Sequence, residues 1–198
     1  MKKFLSLIIA FILSVGAFSI CAYADGPQLP DFSETGGEFY ITDPDNGTLH
    51  LYIKNGKILL EGYAIPLFDE IKIKTNALID GEYGYIYLTF FPLFHIKAPV
   101  GEMEYIDPND FKQAYVKSYN EKIGNTTYYV DEYVIDNILT KNYFLNNEFK
   151  FCKSINDGYE TTLTLESTDV DDKKFELPFY SIDITFIFNW IFGNRIIY

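Results

Sequence analysis

Leu49-His50-Leu51-Tyr52-Ile53-Lys54-Asn55-Gly56-Lys57-Ile58-Leu59-Leu60 decides the fold. Successive side chains of an extended chain point to opposite faces, so Leu49, Leu51 and Ile53 share one side while His50, Tyr52 and Lys54 share the other. Asn55-Gly56 then supplies the two left-handed residues that a tight two-residue turn requires. Ile58 and Leu60 carry the apolar side onward. The stretch predicts two paired antiparallel strands with one buried face.

Working outward, Glu38-Phe39-Tyr40-Ile41 begins the same alternation, and Asp43-Pro44-Asp45-Asn46-Gly47 reads as the hairpin turn that leads into the strand at 49–53. Further strands are predicted at 71–74, 83–90, 126–136, 142–145, 148–153 and 159–167. Asn146-Asn147 and Asn156-Asp157-Gly158 punctuate the last three, at spacings that suit an antiparallel meander. One segment, about 108–119, reads as a helix. Asp107 can cap it, Pro108 takes its first position, and Phe111, Ala114, Tyr115 and Ser118 recur at three and four residues. The expected class is mainly β, of the α+β kind: a curved antiparallel sheet or half-barrel of roughly 8–11 strands with that helix packed on it.

Aromatic residues make up 18% of the chain, and in the 83–90 strand Tyr83, Tyr85 and Tyr87 stand opposite Ile86, Leu88 and Phe90, so both faces are apolar. A strand apolar on both sides is covered on both sides. One reading is a solid core with a cover. The other is a groove for an apolar ligand, which large rigid rings line well. In that second reading the alternation nominates Leu51, Ile53, Ile58, Leu60, Leu88, Phe90, Phe149, Phe151, Leu163 and Leu165 as the lining.

The compartment is written at the start of the chain. Lys2 and Lys3, an uncharged run over 4–20 and Ala22-Tyr23-Ala24 form a secretory signal, with cleavage expected near Ala24 and a mature domain over 25–198, secreted or in the cell envelope. The apolar run is shorter than the roughly twenty residues that span a bilayer. Cys21 follows Phe18-Ser19-Ile20, which lacks the small residue that lipoprotein processing needs before its cysteine. Removing the signal leaves 14 basic against 28 acidic residues, a net charge of −14, so nucleic acid and anionic membrane surfaces should be repelled. It also leaves Cys152 as a lone cysteine. No intramolecular disulfide is then available in the oxidising compartment.

Motifs for chemistry are sparse. His50 and His95 lie in strand-like runs without a second histidine, cysteine or paired acid at ligand spacing, and read as structural. The 43–47 loop has its glycine one position early for a calcium loop and lacks the closing glutamate. Asp169, Asp171 and Asp172 read as solvated turn acids, and Asp131 and Glu132, being adjacent on a strand, point to opposite faces and cannot converge as an acid/base pair. No nucleophile elbow, phosphate loop or zinc helix is present. The expectation is a noncatalytic protein with no cofactor and no metal.

In the second half, Thr127-Tyr128-Tyr129-Val130-Asp131-Glu132-Tyr133, Asn142-Tyr143-Phe144-Leu145, Phe149-Lys150-Phe151 and Val170-Asp171-Asp172-Lys173-Lys174-Phe175-Glu176-Leu177-Pro178 follow one another in an order that resembles the closing strands of LolA-like and LppX-like proteins. The resemblance covers about 109–183. It implies an exported carrier or sensor with an incomplete antiparallel barrel, whose concave apolar face is covered by helices and accepts acyl chains, a lipid or a lipoprotein. Two departures stand out. Pro27, Pro30 and Gly36-Gly37 leave little room for a helix before the first strand. The chain also continues beyond the Phe-Glu-x-Pro motif, where Ile182, Ile184, Phe186, Phe188, Trp190 and Phe192 fall on one side of an extended chain and predict a long final strand. If exposed instead, 182–192 is a contact surface for a protein partner or a membrane interface. An interaction or sensor domain with a filled aromatic core is the alternative function.

Overall fold

A computed structural model describes residues 26–27, 29–30, 32–43, 47–68, 71–99, 114–135 and 137–192. The expected signal segment, most of the 43–47 turn and residues 108–113 of the expected helix lie outside the described residues. The protein is one twelve-stranded curved sheet that does not close into a barrel. After a one-turn helix α1 (Phe32–Thr35) come β1 (Gly37–Asp43), β2 (Gly47–Lys54), β3 (Lys57–Phe68), β4 (Ile71–Asp80), β5 (Tyr83–Leu88) and β6 (Phe94–Pro99). A second series follows: β7 (Tyr115–Ile123), β8 (Thr126–Ile135), β9 (Ile138–Leu145), β10 (Glu148–Asn156) and β11 (Tyr159–Ser167). A 3-10 turn (Asp172–Phe175), the short β12 (Ile182–Asp183) and helix α2 (Thr185–Phe192) end the described chain.

The order across the sheet is β12-β6-β5-β4-β3-β2-β1-β11-β10-β9-β8-β7. Each series is therefore a meander, and the two meet where β1 pairs with β11, Phe39 facing Leu165 and Ile41 facing Leu163. All pairs are antiparallel except β12, which lies parallel to β6. The hairpins close as the turn residues dictate. Asn55 and Gly56 sit at φ 52° and 72°, and Asp157 and Gly158 at 50° and 84°, the left-handed pair that matches the twist of the flanking strands.

Both faces are covered in the centre of the sheet. On one, Phe32 of α1 packs edge-on against Phe39 and Phe149, with ring centroids 5.0 and 5.9 Å away, above Ile41, Leu49, Leu51, Ile53, Ile58 and Leu60. The helix is held to a single turn by Gly36, whose φ of 85° lets its N–H return to the Phe32 carbonyl at 3.1 Å. A side chain at Gly37 would run into the Phe39 and Phe32 rings, so this glycine lets α1 approach β1. On the reverse face, the segment after β11 crosses back and buries Val170 and Phe175 on Tyr52, Leu59, Leu78 and Tyr87. Lys54 fastens it, donating to the Val170 carbonyl at 2.6 Å and pairing with Asp172 at 3.1 Å.

Two expectations need correction. Tyr115–Ile123 is strand β7 and not the second half of a helix over 108–119. The spacing that suggested the helix comes from a bulge: Tyr115 faces Tyr133 and Lys117 faces Glu132, so one extra residue puts Tyr115 and Ser118 on the same side. Their hydroxyls lie 2.7 Å apart. The tail is likewise not a long strand. Only Ile182 and Asp183 pair with β6; Asp183 then accepts the Thr185 N–H at 2.9 Å, and α2 begins.

Candidate functional site

The face that carries α1 holds most of the nominated lining. Leu51, Ile53, Ile58, Leu60, Phe149 and Leu163 belong to one buried cluster, with Leu165 packed against it. Leu88 joins the same face by register, because it pairs with Thr75 while Ile86 pairs with Ala77, which packs on that cluster. Phe151 lies on the reverse face, stacked on Tyr143 at 4.3 Å. The cause is a second bulge: Phe149 faces Phe144 and Phe151 faces Tyr143, so Phe149 and Cys152 end up on one side and Phe151 on the other. Phe90 falls beyond the end of β5 and is 74% exposed. Phe90→Ala should therefore change stability by no more than about 0.5 kcal/mol, read as an unchanged urea midpoint.

Along this face the cover runs out before the apolar residues do. From β4 the register passes through Ile86, paired with Ile96, to Phe94, paired with Ile182 on β12. Yet Ile86 is 42%, Phe94 40% and Ile182 59% exposed. One half of the face is thus closed by α1, and the half over β5, β6 and β12 is apolar and accessible. Phe91 adds a ring beside Phe94, centroids 6.2 Å apart.

At the other side of the sheet the same face turns polar. Ser118, Asp131, Asn142 and Cys152 are successive partners across β7, β8, β9 and β10. Ser118 Oγ donates to Asp131 Oδ1. Asn142 is 1% exposed, and its Oδ1 has no hydrogen-bond partner among the described residues. Burial pushes the Asp131 carboxyl above its ordinary value, against the hydrogen bonds from Ser118 and Tyr129 that favour its charge. Burial likewise raises the Cys152 thiol, which makes it an unreactive packing residue. The sequence places Asp131 and Glu132 on opposite faces but does not single out Asp131 as the buried one. Its alternation with Tyr129 and Tyr133 on the inward side of β8 was the available signal. Glu132 does face away, with Tyr119 OH donating to it at 3.1 Å.

A carboxyl whose folded value is raised adds most to stability below its unfolded value and loses that contribution as pH rises through the folded one. Asp131→Asn should accordingly be more stable than the parent at neutral pH. The difference should vanish below the ordinary value of 3.8. Urea midpoints measured across that range check this; a variant weaker than the parent at pH 7 would show that hydrogen bonds to the ionised carboxylate outweigh its burial.

The histidines are built into the scaffold. His50 lies edge-on to Tyr40 with its Nδ1 3.3 Å from the Tyr52 hydroxyl. His95 is buried, its Nδ1 2.9 Å from Ser181 Oγ, where it ties the segment before β12 to β6. Among the described residues no group of three His, Cys, Asp or Glu side chains could hold a metal ion, and no helix is long and apolar enough to cross a membrane.

No family model and no curated protein sequence matches the chain. Among solved structures it is similar to an uncharacterized conserved protein from Thermus thermophilus, with a TM-score of 0.47 and 9% identity over 75% of this chain and 89% of that one. It is similar also to LprF from Mycobacterium bovis, with a TM-score of 0.47 and 9% identity over 87% of this chain and 98% of that one.

Proposed function

We propose that this chain is an exported, noncatalytic binding protein that holds an acyl chain, of a lipid or a lipoprotein, against the accessible half of the α1 face. The observation that carries the reading is the continuity of that face: Ile86, Phe94 and Ile182, with the half-buried Ile96 between them, extend the buried cluster in register yet Ile86, Phe94 and Ile182 stay exposed. A contiguous apolar surface left in water marks a binding surface. An acyl chain laid on it gains about 0.8 kcal/mol for each methylene removed from water. The secretory signal supports the compartment, in which the mature N-terminus is Asp25.

Native mass spectrometry of the protein purified from bacterial cells tests the reading. The expected result is an adduct with the mass of an acyl chain or lipid that is lost in Phe94→Asp. Repeated absence of an adduct, with added fatty acid failing to bind, would sink it. A second reading, an interaction domain with a filled aromatic core, is favoured by how completely Phe32, Phe39 and Phe149 fill the other half of the face. It predicts the same negative result together with capture of a protein partner through 182–192.

A further inference from the structure

We propose that α2 and the segment leading into it form a platform that docks the protein on a lipid surface of low net charge; the proposal deepens the acyl-chain reading, since it names where the chain comes from. The platform is fastened through its backbone and small polar groups. Ile182 N–H reaches the Leu93 carbonyl at 2.8 Å, Ile184 N–H the His95 carbonyl at 3.0 Å, and Thr185 Oγ1 accepts the Lys97 N–H at 2.6 Å and donates to the Lys97 carbonyl at 3.2 Å. Held in this way, the segment turns large apolar side chains outward. Phe179 is almost wholly exposed, Phe186 and Trp190 largely so, and Tyr180 and Ile187 about half.

Three features select a lipid surface among possible occupants. First, the eight residues of α2, TFIFNWIF, include no charged group, in a chain of net charge −12. Such a platform meets an uncharged or zwitterionic surface without repulsion, whereas an anionic one is repelled by the rest of the molecule. Second, Trp190 and Tyr180 pair an apolar ring with a polar tip, the side chains that settle at the junction of headgroups and acyl chains. Third, the platform is continuous with the accessible face, because Ile182 pairs with Phe94. A chain leaving the bilayer at α2 meets Ile182 and Phe94 next, Asp183 alternating to the opposite side of β12 from Ile182. Strand addition by a second copy is disfavoured at this edge, since β12 offers only two residues before the helix begins.

Trp190 is the chain's single tryptophan, so its emission reports on this helix alone. The experiment mixes the full-length exported protein with phosphatidylcholine or phosphatidylglycerol vesicles and follows Trp190 emission and co-flotation. Phosphatidylcholine vesicles should shift the emission to the blue and carry the protein upward. Phe186→Asp, at an exposed position that leaves the fold intact by circular dichroism, should weaken flotation at least tenfold. No flotation with either vesicle, or flotation confined to phosphatidylglycerol, would overturn the proposal. So would a blue shift that appears without vesicles as protein concentration and sedimenting mass rise together, the signature of a second copy. The two readings fail separately: a copurified acyl adduct without vesicle binding removes only the platform, and vesicle binding without an adduct removes only the acyl-chain site.

Discussion

Phe32→Ala should destabilise the protein by about 3–5 kcal/mol, the cost of deleting a fully buried phenyl ring from a packed core. Phe32 is 1% exposed and touches rings from both meanders, Phe39 of β1 and Phe149 of β10. Its removal leaves a cavity at the seam where the two series of strands join. The flanking strands are fixed by their hydrogen bonds and cannot close over it, which places the loss toward the upper end of the range. Domains of this size have about 5–15 kcal/mol in total. The variant should therefore unfold in urea far below the parent's midpoint and show a broadened transition if the meanders separate. A loss under about 1 kcal/mol, the scale of surface substitutions, would mean that α1 is not seated between the strands and that the buried half of the face is open to ligand as well.

How much of this could be read from the sequence depends on where the chain keeps strict alternation. From Leu49 to Leu60 nothing interrupts the period of two, and the turn type follows from Asn55-Gly56; the hairpin, its register and its buried side were all legible. Eight of the ten nominated lining residues share the α1 face for the same reason, namely Leu51, Ile53, Ile58, Leu60, Leu88, Phe149, Leu163 and Leu165. Reading failed at the bulges. One extra residue near Val116 makes two same-side positions three apart, which imitates a helix, and one near Lys150 sends Phe151 to the reverse face. Nothing local in either stretch announces the insertion. The tail failed for a different reason. Within 185–192, Phe186, Ile187, Phe188, Trp190, Ile191 and Phe192 leave Asn189 as the only polar residue after Thr185, so no period separates helix from strand.

The site was legible only in part for a related reason. Alternation names the side on which a residue lies, but not whether anything covers it. Ile58 and Ile86 look equivalent in the sequence, yet one lies inside the buried cluster that Phe32 of α1 joins and the other is open. Cover is a property of the tertiary arrangement, and here it comes from elements of four residues, too short to show an amphipathic period.

Two truncations separate the parts of the C-terminal region. A chain ending after Pro178 loses β12 and α2, which are held to β6 by hydrogen bonds and whose Ile182, Phe186, Ile187 and Trp190 side chains are exposed. It should remain folded and be the more soluble form, contrary to what a buried final strand would give. A chain ending at Thr168 loses as well the strap over 169–178 that crosses the reverse face. Val170 and Phe175, both 3% exposed, leave Tyr52, Leu59, Leu78 and Tyr87 bare. Each apolar side chain contributes about 1.5–3 kcal/mol through burial, so the two side chains removed and the four uncovered together approach the whole net stability of a domain this size. The ties from Lys54 to Val170 and Asp172, and from Lys174 to Tyr52 at 3.2 Å, vanish with them. The shorter form should be insoluble or molten, with far-ultraviolet circular dichroism retained and near-ultraviolet signal lost. If the form ending at Pro178 were itself insoluble or molten, the tail would be a cover that the strap cannot replace. The apolar residues of α2 would then have to pack inward, and the docking platform would not exist.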